Sequence, residues 1–213
     1  MKSPVMLMCA LFTTLVLLGS GCALRPVEEE KAALGENMVA QAYPGMPAAL
    51  VARTQEDESQ RICSTMRREP LNADEAARVI GLARTSIRYP ASGKLFGNWK
   101  AGEKLAYESA GQRIVNGNVE KRKENGGGCS NCHVLDSREV NAGNLGPALT
   151  GYGVRHGHDA DAVKYTYEKI YNAWAVYPCS NMPRFGANGY LTPEQVADLV
   201  AYLVDPQSPV NNK

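Results

Sequence analysis

The sequence predicts an all-α fold, and three observations carry that prediction. Polar cap residues with Glu or Gln three positions on stand at Asn72–Glu75 and Thr192–Gln195, the reciprocal pattern that satisfies free amides at a helix start. Apolar residues behind each cap recur at helical spacing. No segment shows a convincing alternating strand or hairpin, so no sheet is predicted.

The elements follow in order. Lys2 precedes an uncharged, mostly apolar run from Val5 to Leu18 and then Gly19-Ser20-Gly21, the order of a secretory signal over residues 1–23. The run is short of the roughly 20 apolar residues of a membrane span. Two maturation routes fit. Cleavage after Ala23 gives a soluble exported protein, whereas a lipid on Cys22, preceded by Ser20-Gly21, gives an anchored one. Either route predicts a periplasmic location. Residues 24–97 read as a helical extension. Ala76, Val79, Ile80, Ala83 and Ile87 form its clearest stripe, and Pro90 and Gly93 break it.

A second unit, 98–213, starts at Asn98. Gly102, Ala106 and Ala110 place small residues on one helix face beside Leu105 and Ile114, and Gly126-Gly127-Gly128 ends the segment as a flexible loop. Val163, Tyr167, Ile170 and Trp174 predict a middle helix. The last helix opens with Thr192-Pro193, buries Val196, Leu199, Val200 and Leu203, and stops at Pro206. The 213 residues carry a formal charge of +1, which gives no basic excess for nucleic acid.

The strongest chemical signal is Cys129-Ser130-Asn131-Cys132-His133. Two thiols separated by two residues match the vinyl spacing of a porphyrin, and the adjacent imidazole falls beneath its iron. The pattern therefore points to one covalent haem c with His133 as proximal ligand. A redox-active disulfide pair would need a βαβ setting. A zinc site would need a second ligand pair, and only the distant Cys63 and Cys179 remain. Met182, in the loop Pro178-Cys179-Ser180-Asn181-Met182-Pro183, is the candidate sixth ligand. A thioether favours reduced iron and raises the potential. Its bland alternative is a gap-filling core methionine, which a polar turn argues against. His156 and His158 are competing ligands in a polar stretch, expected to be solvated loop residues.

In an exported chain Cys63 and Cys179 are the spare thiols, so a disulfide between them is expected. Closing so long a loop contributes on the order of 4–5 kcal/mol in the chain-entropy model. Lys121-Arg122-Lys123 could steer an anionic substrate or acidic partner to the haem edge, although a solvated charged turn is the simpler explanation.

From about Asn98 onward the chain resembles class I cytochromes c. It resembles one group in particular, SoxX, the mono-haem subunit of the sulfur-oxidation cytochrome complex SoxAX. The resemblance rests on Gly128–His133, the run Asn144-Leu145-Gly146-Pro147-Ala148-Leu149-Thr150-Gly151-Tyr152-Gly153, Cys179–Gly186 and the tail Asp205-Pro206-Gln207-Ser208-Pro209-Val210-Asn211. It implies that the Pro147 carbonyl accepts the free N–H of His133. It further implies an L-cysteine S-thiosulfotransferase complex that couples thiosulfate oxidatively to a cysteine of a SoxYZ-like carrier. The sulfur chemistry then belongs to a SoxA-like partner, against which the extension is expected to pack. The haem held by Cys129, Cys132, His133 and Met182 relays electrons to a downstream acceptor. Two other functions stay open, an electron-transfer subunit of another exported oxidoreductase and a gas-binding cytochrome in which Met182 is displaced.

Overall fold

The computed structural model describes residues 38, 41–42, 44–46, 51, 54–66, 69–111, 113–115, 118–120 and 125–212, with only the backbone described at 113–115 and 118–120. The signal segment, Cys22 and Lys121–Lys123 lie outside these residues. The chain divides into two units, Met1–Ala42 and Tyr43–Lys213. The second unit contains every element named below.

Two helices come from the extension, α1 (Glu58–Thr65) and α2 (Ala73–Thr85). Asp57 caps α1 and Asn72 caps α2, each closing a reciprocal box with Gln60 or Glu75. Val79 and Ala83 of α2 are buried, as the stripe predicted, whereas Ile87 lies beyond the helix end and packs on the core from there. Burying this face gives α2 a stability that a short isolated helix lacks in water.

Helix α3 (Trp99–Tyr107) starts at Asn98, whose side chain accepts from Lys100 and Ala101. It ends before Ala110, so the small-residue face extends only through Gly102 and Ala106. Residues Arg113–Val115 and Asn118–Glu120 then form β1 and β2, an antiparallel hairpin that pairs Val115 with Asn118. This corrects the expectation of no strand and moves Ile114 from the helix to β1. The fold class stays all-α.

Helices α4 (Tyr152–His156), α5 (Ala160–Tyr171) and α6 (Pro193–Val204) complete the body. Val163, Tyr167 and Ile170 lie on α5, but Trp174 belongs to a separate 3-10 turn, Ala173–Ala175, capped by Asn172. Helix α6 is the central beam, buried at eight positions from Val196 to Val204. Its most extensive neighbour is α3. They approach so closely at Gly102 that any Cβ would strike the Asp198 carbonyl and the Cβ of Tyr202. Asp198 also accepts from the Asn98 amide at 2.7 Å, which ties the start of α3 to the middle of α6. Against α6 pack α4 and α5, leaving a cavity in front of α6.

Candidate haem site

Cys129–Asn131 is one 3-10 turn, entered through Gly128 at φ 57°. The amides of Cys132 and His133 both donate to the Cys129 carbonyl, at 3.1 and 2.8 Å. This winding brings both thiols and the imidazole to the wall of one cavity. The glycine run before it is pinned instead of flexible. Gly126, Gly127 and Gly128 donate to the carbonyls of Ala110, Leu105 and Glu108 at 2.9, 2.7 and 2.9 Å. The run thereby satisfies carbonyls that the end of α3 leaves free. A side chain at Gly126 would collide with the Glu108 backbone.

His133 is fixed from two sides. Its Nδ1 lies 2.7 Å from the Pro147 carbonyl. A carbonyl only accepts, so Nδ1 carries the proton and Nε2 keeps the lone pair a metal requires. Gly146 sits flat against the ring, and a Cβ there would overlap the imidazole. The Gly146 amide donates to the Cys132 carbonyl at 2.7 Å, closing the loop back onto the haem-motif turn.

The Met182 side is held differently. Met182 is half-buried against the core, and its amide donates to Ser180 Oγ at 3.2 Å. Trp174 Nε1 donates to the Ser180 carbonyl at 2.8 Å. Cys179 joins Cys63 in a disulfide with a Cα–Cα distance of 5.4 Å, as expected, while Cys129 and Cys132 stay free of disulfides. Beyond the methionine, Gly186 packs flat on the Tyr171 ring and donates to its carbonyl at 2.9 Å.

The cavity has a volume of about 1340 Å³, above the range of roughly 300–1,000 Å³ for ordinary small-ligand pockets. Leu135, Leu149, Ile170, Leu199, Leu203 and Phe185 line it together with Cys129, Cys132, His133 and Met182. Burial pushes the Cys129 thiol up to about 12, so it sits there as a neutral apolar group. Of the competing histidines, His156 reaches the rim from the last turn of α4, its ring 4.3 Å from that of Tyr152. It is thus a helical residue and not part of a loose loop. His158 does not line the cavity.

Sequence reasoning missed two groups of lining residues. Lys169 lies in the wall with its ammonium 5.3 Å from the Tyr177 ring centre, and burial lowers its pKa. Gln55, Asp57, Gln60 and Met66 bring the extension to the same cavity. Nothing in their local pattern announces this, because the disulfide is what carries them there.

Among the described residues no three His, Cys, Asp or Glu side chains gather as zinc ligands. The donor set suits haem c instead. Two thiols stand one turn apart, an imidazole has its Nε2 available, a thioether faces the same space, and the remaining walls are largely apolar. Residues 108–205 match the family model described as cytochrome c. A relative from Aquifex aeolicus (strain VF5), described as an uncharacterized lipoprotein, is 42% identical over 156 residues, 73% of this chain and 73% of the relative. Residues 108–205 are a domain of the cytochrome c family. As a cytochrome c the chain carries covalently bound haem and transfers electrons, and its fold is that of the all-α class I domain. No helix among the described residues is long and apolar enough to cross a membrane.

Proposed function

We propose that this cytochrome c is the mono-haem electron-relay subunit of an exported, thiosulfate-oxidising complex of the SoxAX kind. Cys129 and Cys132 would carry the thioether links, and His133 Nε2 and Met182 Sδ would hold the iron. Haem c, once bound there, supplies a one-electron iron couple. The chain's own residues do the rest. The Pro147 carbonyl holds the proton on Nδ1 of His133 and orients the ring. The leucines of the wall exclude water, and the methionine sulfur favours the reduced state.

The observation that carries the reading is the presence of His133 and Met182 on the wall of one largely apolar cavity. With both ligands in place no position would be open for substrate, which supports the reading of a relay whose sulfur chemistry belongs to a partner. Coupling thiosulfate to a carrier thiol releases two electrons and one proton, so a single haem serves the reaction in two successive transfers. The sulfur-specific part rests on the resemblance of the ligand loop and the tail to SoxX. The Aquifex relative's description as a lipoprotein supports the anchored route, with the lipid on Cys22.

The test mixes the purified holoprotein with thiosulfate, a SoxA-like cytochrome and a SoxYZ-like carrier. Haem reduction that requires all three components supports the reading. Reduction indifferent to the carrier would assign the chain to another exported oxidoreductase. Rapid and complete carbon monoxide binding to the reduced protein alone would replace the relay with a gas-binding function. The mass of the mature N-terminus, with or without acyl chains on Cys22, decides the anchor.

A further inference from the structure

The loop that presents Met182 is gripped on both flanks by the extension, a region outside the matched cytochrome c segment 108–205. Three positions before Met182, Cys179 is bonded to Cys63 of α1. Two positions after it, Arg184 Nη1 pairs with Asp57 Oδ2 at 2.7 Å. The pair is partly sheltered, with the arginine side chain 14% exposed and the aspartate 49%. Both extension partners belong to one rigid piece. Asp57 is the N-cap of α1, its Oδ1 accepting from the Gln60 amide at 2.8 Å, and Cys63 lies in the same helix.

The grip is transmitted to the loop interior. The Arg184 guanidinium lies 4.5 Å from the Trp174 ring centre, within cation–π range. Trp174 in turn donates to the Ser180 carbonyl, and Ser180 Oγ accepts from the Met182 amide. Cys179 itself adopts φ 59°, the one non-glycine residue with positive φ among those described. Such a backbone is strained and persists only where the surroundings over-determine it. Here the disulfide and the turn around it do so.

We infer that the extension is a clamp on the sixth-ligand loop, and that Asp57 and Arg184 are positioning residues that keep Met182 on the iron and so hold the reduction potential up. The inference rests on Met182 being the axial ligand.

Two physical effects at Asp57 have opposite signs, which makes the clamp testable. Removing only its charge leaves the Arg184 cation uncompensated near the haem, which favours reduced iron and raises the potential. Releasing the loop weakens thioether ligation, which lowers the potential. The experiment measures the far-red methionine–iron band of the oxidised holoprotein and its midpoint potential in four variants: Asp57→Asn, Asp57→Glu, Met182→Leu, and Cys63→Ser with Cys179→Ser. The clamp predicts that Asp57→Asn and the double serine variant lose most of the band and fall in potential. It also predicts that Asp57→Glu restores both readings. An unchanged band with a raised potential in Asp57→Asn, together with an unchanged band in the double variant, overturns the clamp. Persistence of the band in Met182→Leu sinks the ligand assignment itself, a separate failure. Should the double variant not fold, Asp57→Asn, which leaves the disulfide intact, still decides.

Discussion

The two sides of the haem cavity are built by different means. The proximal side is short-range and made of backbone. Between Gly126 and Pro147 the chain bonds largely to its own near neighbours, and glycines at 126 and 146 let main chain pack where a side chain would collide. The Met182 side is made of side chains and held by two long-range links, a disulfide across 116 residues and an ion pair across 127, beside a local indole hydrogen bond. Backbone packing tolerates almost no variation, because close-packed main chain has nowhere to move. Side-chain links can fail one at a time. The proximal ligand is thus expected to be all-or-none and the distal ligand adjustable.

The largest effect that tests this contrast is Gly146→Val. The new side chain would overlap the His133 ring, so covalent haem in the secreted protein should drop to near zero, read by absorbance per polypeptide. Normal haem loading would break the distinction. Next comes the pair Cys63→Ser with Cys179→Ser. Loss of the link should cost about 2–5 kcal/mol of unfolding free energy, read from the guanidinium midpoint, while covalent haem content stays near wild type. Equal loss of haem would show that the proximal side depends on the distal one.

Trp174→Phe is a smaller perturbation. It removes the donor to Ser180 and weakens the stacking of Arg184, which should cost roughly 1–2 kcal/mol. The methionine–iron band should weaken while carbon monoxide still fails to bind the reduced protein fully. The smallest effect is expected of Arg78→Ala. Arg78 and Glu58 join α2 to α1 at the exposed surface, and the Arg78 guanidinium holds the Glu58 carboxyl below its usual range. A carboxyl lowered on folding stabilises above its unfolded pKa and loses that contribution as pH falls through the folded value. Since solvent screens the pair, acid-unfolding curves of the variant and the wild type should nearly coincide. A clear separation at neutral pH that closes on acidification would show that the extension is held by this pair as well as by its clamp.

What the sequence disclosed divides along the same line. The caps at Asn72 and Thr192 act over three residues and were legible, as was the turn that sets Cys129, Cys132 and His133 together. That Met182 reaches the cavity wall was legible from its polar loop, where a core methionine would not sit. The hairpin should also have been seen. Asn116-Gly117 between two short β-prone runs is a strong two-residue turn signal, outweighed in the reading by the helical pattern around it. Trp174 fits the α5 stripe by spacing, yet Asn172 caps a new turn and ends that helix first. The contacts of Asp57 with Arg184 and of Asp198 with Asn98 left no local trace. Charged residues at helix starts and on helix faces are ordinary, and only the tertiary fold selects their partners.

The disulfide has a further bearing on how the molecule is assembled. Cys63, Cys129, Cys132 and Cys179 could form six different single disulfides, and only Cys63 with Cys179 leaves both haem-bearing thiols available. Cys129 and Cys132, closest in sequence, meet most often in an unfolded chain because short loops close fastest. Correct pairing therefore depends on helix α1 reaching the Met182 loop, or on a chaperone that keeps the neighbouring thiols reduced until the porphyrin arrives. The order of these events, and not their thermodynamics, would then limit how much coloured protein a cell can make.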